Sequence, residues 1–148
     1  MVQAVLEISY CCAARVGDVL NLQAHQLTDE GIFIKQEKTG KEQIKSWSPR
    51  LRAAIDLARS IQKARSVNRV VANERGTKLS YDAFRHRWNK AKKAAQAKHP
   101  EMKFDFTFHD NKGKSISDYE GDKQKFSGHK SHQMVATYDR KTDVVDTH

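Results

Sequence analysis

Apolar residues recur at three- and four-residue intervals through segment after segment of this chain, and that period confines it to a mainly α fold. Val2 to Tyr10 and Val16 to Leu22 read as two consecutive helices with Arg15 near their junction. Ser48-Pro49 opens a third, with Leu51, Ala54, Ile55, Leu57, Ala58 and Ile61 as its apolar stripe,. Ser80 is an N-cap for a helix that runs to about Ala97, is closed by Pro100 and carries Phe84, Trp88 and Ala91 on its buried side,. The helical period gives way at Ile32–Gln36 and Gln43–Trp47, two short β-compatible runs around Lys38-Thr39-Gly40-Lys41. They predict an antiparallel hairpin whose turn uses Gly40 for positive φ and presents Lys38 and Lys41. Val70-Val71-Ala72 reads as a brief extended segment before a loop. Beyond an extended Phe104–Phe108, a helix begins near His109-Asp110 and carries Ile116 and Tyr119, with breaks at Gly121 and Gly128,. The expected architecture is therefore mainly α with a small antiparallel β-hairpin or sheet.

A length of 148 residues suits one domain, 1–148, able to bury roughly two-thirds of its unfolded surface,. Lys and Arg number 27 against 18 acidic residues, a net charge of +9 that favours a polyanionic partner without choosing one,. The helix from Tyr81 to Lys98 holds six of those cations against one acid, Asp82, so its polar side is either an ordinary solvated face or a surface that tracks DNA,. No segment is apolar for long enough to span a membrane. Cys11 and Cys12 adjoin apolar residues and lack a second pair for a disulfide framework or a zinc site, which points to buried thiols in a reducing cytosol,. Apolar helical spacing begins already at Val2, so the chain starts inside structure.

Several separated residues make sense together as a phosphodiester site. Breaking such a bond without a metal needs a nucleophile, donors for the charge on the nonbridging oxygens, and an acid for the leaving oxygen. Tyr138 is the candidate nucleophile; with an ordinary pKa near ~10 it needs a base or a cationic pocket. Arg15 offers a planar fork matching two phosphate oxygens, with Asp18 one turn on to orient it, although Arg-x-x-Asp is also a common surface pair. Lys38, or Lys41 in its place, can protonate a leaving oxygen. His109 and Lys112 share a helix face near its positive N-terminus. His129 follows Gly128, where the backbone can approach a ligand closely. Taken singly, each is a surface or packing residue. His129 and Tyr138 are nine apart and would face away from each other on one helix, so a break between them is required, with Ser131 as the N-cap of a new helix carrying Met134, Val135 and Tyr138. The histidines show no zinc spacing, since His129 and His132 lack an obvious third ligand, and Thr39-Gly40-Lys41 lacks the upstream glycine of a nucleotide-binding loop.

In this chain order, Ala14-Arg15-Val16-Gly17-Asp18, Glu37-Lys38-Thr39-Gly40-Lys41, Thr107-Phe108-His109-Asp110-Asn111-Lys112, Ser127-Gly128-His129 and Tyr138 resemble the catalytic domain of the tyrosine recombinase, or phage integrase, family. The resemblance runs from Val2 to about Lys141. It implies Arg15 as the first catalytic arginine, Lys38 as the hairpin lysine, His109 as the first residue of a His-x-x-Arg box, His129 as the histidine of a Gly-His box and Tyr138 as nucleophile. Lys112 departs from that box, keeping charge but losing the bidentate fork. The family's implied activity is site-specific recombination or integration of double-stranded DNA through a 3′-phosphotyrosine intermediate, with strands exchanged in a tetramer on DNA and with neither ATP nor a metal. A monomer is expected off DNA, in the cytoplasm or nucleoid of a bacterial or phage-infected cell. Family members usually carry an N-terminal helical domain that clamps the other side of the DNA, for which this chain has no room. The expected alternative is a catalytically impaired relative that holds DNA or a partner.

Overall fold

A computed structural model describes residues 1–62, 68–129 and 143–148. The first helix, α1 (Val2–Cys12), buries Ala4, Val5, Ile8, Cys11 and Cys12 along one stripe and packs against four other helices,. Burial pushes the Cys11 thiol up to about 11 and the Cys12 thiol up to about 12,. Ala13 ends α1 in the left-handed region, at φ 50°, where a side chain is strained by about 1 kcal/mol or more,. The turn is held by Ala14 N–H donating to Ser9 O at 3.0 Å and the buried Ser9 Oγ donating to Ala14 O at 2.7 Å. Arg15, extended, then becomes the N-cap of the short α2 (Val16–Leu20). The two helices meet where the apolar spacing placed their junction, although α2 stops at Leu20.

After a 3₁₀ turn at Ala24–Gln26, β1 (Gly31–Lys35) and β2 (Glu42–Ser46) pair antiparallel, Lys35 opposite Glu42. Gly40 has φ 68° in their connecting turn, as the hairpin requires,. The helix α3 (Pro49–Ser60) starts where expected, with Ser48 Oγ accepting from Leu51 N–H at 3.2 Å,. Its stripe ends early, because Ile61 lies beyond the helix and is exposed. Ser80 caps α4 (Tyr81–Lys98) in the same way through Ala83 N–H at 3.2 Å. Phe84 and Trp88 on α4 meet Phe108 edge-on, at ring separations of 5.1 and 5.4 Å, and so fix the start of α5 (Phe108–Asp118),. Thr107 and Asp110 form a reciprocal capping box there,. Tyr119 falls just beyond α5 rather than within it.

Two elements depart from the sequence expectation. A five-residue helix, α6 (Lys123–Ser127), occupies the stretch between Gly121 and Gly128, with Asp122 Oδ1 accepting from Gln124 and Lys125 N–H at 3.0 Å each. A third strand, β3 (Asp143–Val145), joins β2 in parallel, so the sheet is mixed rather than purely antiparallel, in the order β1-β2-β3. Its Val145 packs with Ala13 and Phe126 in a small second core, bordered by Ile116 and Tyr119, apart from the main one. The tail stretch carrying Ser131, Met134, Val135 and Tyr138 lies outside the described residues. Among those described, no helix is long and apolar enough to cross a membrane.

On β2, Gln43 and Lys45 point inward and are about as buried as the aliphatic core. The Lys45 ammonium sits 4.8 Å from the Phe126 ring centre and donates to the Phe126 carbonyl, and burial lowers its pKa to about 8,. A lysine lowered in this way binds fewer protons folded than unfolded between about 8 and 10.5, so its contribution to stability grows as pH rises through that window,. The buried thiols act oppositely above about pH 9, because they keep their protons only when folded,. Comparison with Lys45→Met isolates the amine. In urea denaturation, the stability of the wild type relative to this variant is expected to rise by up to about 1.4 kcal/mol per pH unit between pH 8 and 10. A flat difference would show that the amine titrates alike in both states.

Candidate active site

The turn after α1, the hairpin and the start of α5 converge on a cavity of about 830 Å³. Arg15, Lys38, His109 and Lys112 line it, as do Tyr81, Phe84, Trp88, Phe106 and Phe108. Four of the expected site residues, from three separate stretches, thus share one opening. Lys112 is held from behind, since Asn111 Nδ2 donates to Leu6 O at 3.0 Å and Ser115 Oγ donates to Tyr10 O at 2.5 Å, seating α5 on α1.

Lys112 is 4% exposed and its Nζ has no hydrogen-bond acceptor among the described residues. Burial, then the positive charge of Arg15 and further that of Lys38, lower its pKa to about 8, with Asp18 opposing,. His129 is exposed but partly desolvated, and that effect, followed by repulsion from Lys112 and Arg15, holds its imidazole below the usual value. His129 therefore stands close enough to feel both charges, although it is not on the cavity wall. Positive groups crowded this closely favour an anion among them.

Asp18 does something other than orient Arg15. Its Oδ1 accepts from Glu37 N–H at 3.0 Å, so it holds the hairpin turn, while Arg15 Nη1 donates instead to Gln36 Oε1 at 3.2 Å. Of the competing phenols, Tyr10 donates to Asp118 Oδ2 at 2.8 Å and Tyr119 stacks on Phe126 at 4.0 Å. Tyr81 is exposed on the cavity wall. The proposed nucleophile Tyr138 lies outside the described residues. No group of three or more His, Cys, Asp or Glu among the described residues is placed to hold a metal.

His129 owes its place to contacts that sequence reading missed. Gln43 Nε2 donates to Lys125 O at 2.5 Å, Lys45 Nζ to Phe126 O, and Gln36 Nε2 to Ser127 O at 2.8 Å. These are carbonyls of the last turn of α6, where a helix runs out of internal donors, although Lys125 O also accepts from Gly128 N–H at 3.3 Å,. Gly128 follows at φ 69°, closing the helix in the left-handed conformation that favours glycine,.

The phage integrase family model matches residues 1–144. The chain belongs to the phage integrase family. No curated protein matches it in sequence. Its fold is similar to the lambda integrase catalytic core, with a TM-score of 0.70 at 22% identity over 87% of this chain and 83% of that one. It is likewise similar to a lambda integrase dimer bound to a COC′ core site (TM-score 0.71, 22% identity, 97% of this chain and 44% of that one). A lambda integrase tetramer bound to a Holliday junction also matches (0.70, 22%, 90% and 40%). At such identity the likeness establishes the integrase catalytic fold. The chain spans about half the length of the first of these DNA-bound relatives, also a lambda integrase dimer on a COC′ core site.

A Cβ on Gly128 of this integrase domain would lie 2.5 Å from Gln36 Nε2 and 2.7 Å from Gln43 Oε1, besides being strained at positive φ. Gly128→Ala is therefore expected to lose about 1–3 kcal/mol of stability in urea denaturation. It should also move the His129 imidazole resonance. A loss below 0.5 kcal/mol, roughly the scatter of an ordinary surface substitution, would show that the loop yields freely.

Proposed function

We propose that this chain is the DNA breaking and rejoining domain, 1–148, of a tyrosine-type site-specific recombinase. The observation that carries the reading is the convergence of Arg15, Lys38, His109 and Lys112 on one cavity, with His129 near enough to share its charge. Family membership supports the same chemistry. The DNA complexes among the structural relatives support double-stranded DNA as the partner and an assembly of several subunits on it, up to a tetramer.

In this reading a DNA phosphate lies among the cations. Arg15 grips two nonbridging oxygens with its fork, Lys112 adds a point charge, and His129 donates to an oxygen. Tyr138 attacks phosphorus, its proton passing to a base for which His109 is the candidate. The bond to the 5′ oxygen breaks as Lys38, or Lys41, supplies that oxygen with a proton. The product is a 3′-phosphotyrosine ester and a free 5′-hydroxyl, and attack by another strand's 5′-hydroxyl reverses the steps. The donors act electrostatically, because charge builds on the phosphate oxygens in the transition state.

Lys112 favours a second reading, a weakened relative that binds DNA more than it cuts it. A lysine there lacks the second prong of arginine, and with its pKa at about 8 it sheds charge in mildly alkaline solution,. One assay separates the two. A nicked duplex carrying the element's own junction is incubated with protein in buffer without metal and scored for a denaturant-stable protein–DNA band. The recombinase reading expects a band that Tyr138→Phe abolishes. DNA binding with no band from wild type or from Lys112→Arg would leave the binding module.

The pH dependence follows with its sign. As pH rises through about 8, Lys112 loses its proton in the free protein, so wild-type adduct formation is expected to fall by several-fold between pH 7.5 and 9,. Lys112→Arg, charged throughout, should form adduct faster and stay flat over that range. Parallel profiles for the two proteins would show that Lys112 does not titrate over that range when DNA is bound.

A further inference from the structure

We propose that Gln36 is a positioning residue that ties Arg15 to the loop bearing His129, so that the two phosphate donors keep a fixed relation across separate elements. This rests on the recombinase reading for its purpose, though not for its geometry. Gln36 follows β1 and is 3% exposed. Its Oε1 accepts from Arg15 Nη1 at 3.2 Å and from Thr39 Oγ1 at 3.0 Å, and its Nε2 donates to Ser127 O at 2.8 Å. Its main chain bonds both ways across the hairpin turn, N–H to Lys41 O at 2.8 Å and O from Gly40 N–H at 2.7 Å. One side chain thus joins the turn after α1, the turn that carries Lys38, and the end of α6.

The chemistry of the partners leaves the amide one orientation. A guanidinium only donates and a carbonyl only accepts, so the oxygen must face Arg15 and the nitrogen Ser127. Among side chains of this length, glutamine supplies both while neutral at pH 7. A carboxylate would bind Arg15 more strongly but would offset the positive charge meant for phosphate and would face the Ser127 carbonyl with no proton to give. Arg15 also needs holding, because Lys112 and His129 lie close by and repel it when charged. Gly128 fits the same design, since any side chain there would displace the Gln36 amide.

The test compares Gln36→Met and Gln36→Glu with wild type on the 148-residue chain, using two readouts. The first is the rate of adduct formation on the nicked duplex at saturating DNA, beside the DNA concentration for half-saturation. A misplaced donor is expected to slow the rate by about 10–100-fold while half-saturation stays within about twofold. The second needs no turnover and is the imidazole titration of His129 followed by NMR in the free protein. In wild type it lies below the ordinary value, where Lys112, Arg15 and partial burial hold it. In Gln36→Met it is expected to move, as the loop is released from Arg15. Gln36→Leu, also neutral, serves should Gln36→Met fail to fold, whereas Gln36→Glu adds a charge that shifts the imidazole by itself and is read by the adduct rate alone. An unchanged His129 titration in a folded neutral variant overturns the proposal, whatever the adduct rate does. A titration shifted in a neutral variant upholds the tie even if wild type forms no adduct, in which case the recombinase reading fails by itself.

Discussion

The last turn of α6 is bound, carbonyl by carbonyl, by side chains from the hairpin, and the placement of the site depends on that contact. A helix of five residues has little stability of its own, since most of its polar groups are end groups,. Gln43, Lys45 and Gln36 satisfy successive carbonyls at its C-terminus, while Asp122 satisfies the amides at its start. Phe126 is clamped from both sides, by the Lys45 ammonium and by the stacked Tyr119 ring. The short helix then acts as a rigid spacer that delivers Gly128-His129 to the cations of α2 and α5.

That arrangement has an electrostatic cost. Lys45 and Lys112 are both buried cations, and each repels the other. Lys45 is offset by a carbonyl and an aromatic face, whereas Lys112 has no hydrogen-bond acceptor among the described residues and meets the positive charge of Arg15 and Lys38. A buried charge so poorly offset lowers stability unless an anion joins it. The two lysines therefore divide the work, one holding structure and the other adding to a positive field.

Much of this was legible in the chain. Capping residues named the starts of α3 and α4, since Ser48 and Ser80 each precede a long apolar period, and Lys-Thr-Gly-Lys named the hairpin. That Arg15, Lys38, His109 and Lys112 would meet in one cavity could be read, because each stands in a short local pattern whose order resembles the family's. Gln36, Gln43 and Lys45 could not. In a strand, alternation separates two faces without saying which is buried, and Ile44 suggests the wrong one; the buried face of β2 is polar because α6 presents carbonyls to it. Nor could β3 be foreseen, as three residues pairing in parallel with a distant strand leave no periodic trace,. Asp18 looked like the partner of Arg15 because helix spacing favours such pairs, but a backbone amide of the hairpin claims it.

The adjacent thiols of α1 have a practical meaning for work on this protein. Buried and holding their protons well above neutral pH, Cys11 and Cys12 present almost no thiolate to a labelling reagent,. A cysteine placed on the exposed face of α4 would then be the reactive one, and a fluorophore could be attached there with both natural cysteines left in place.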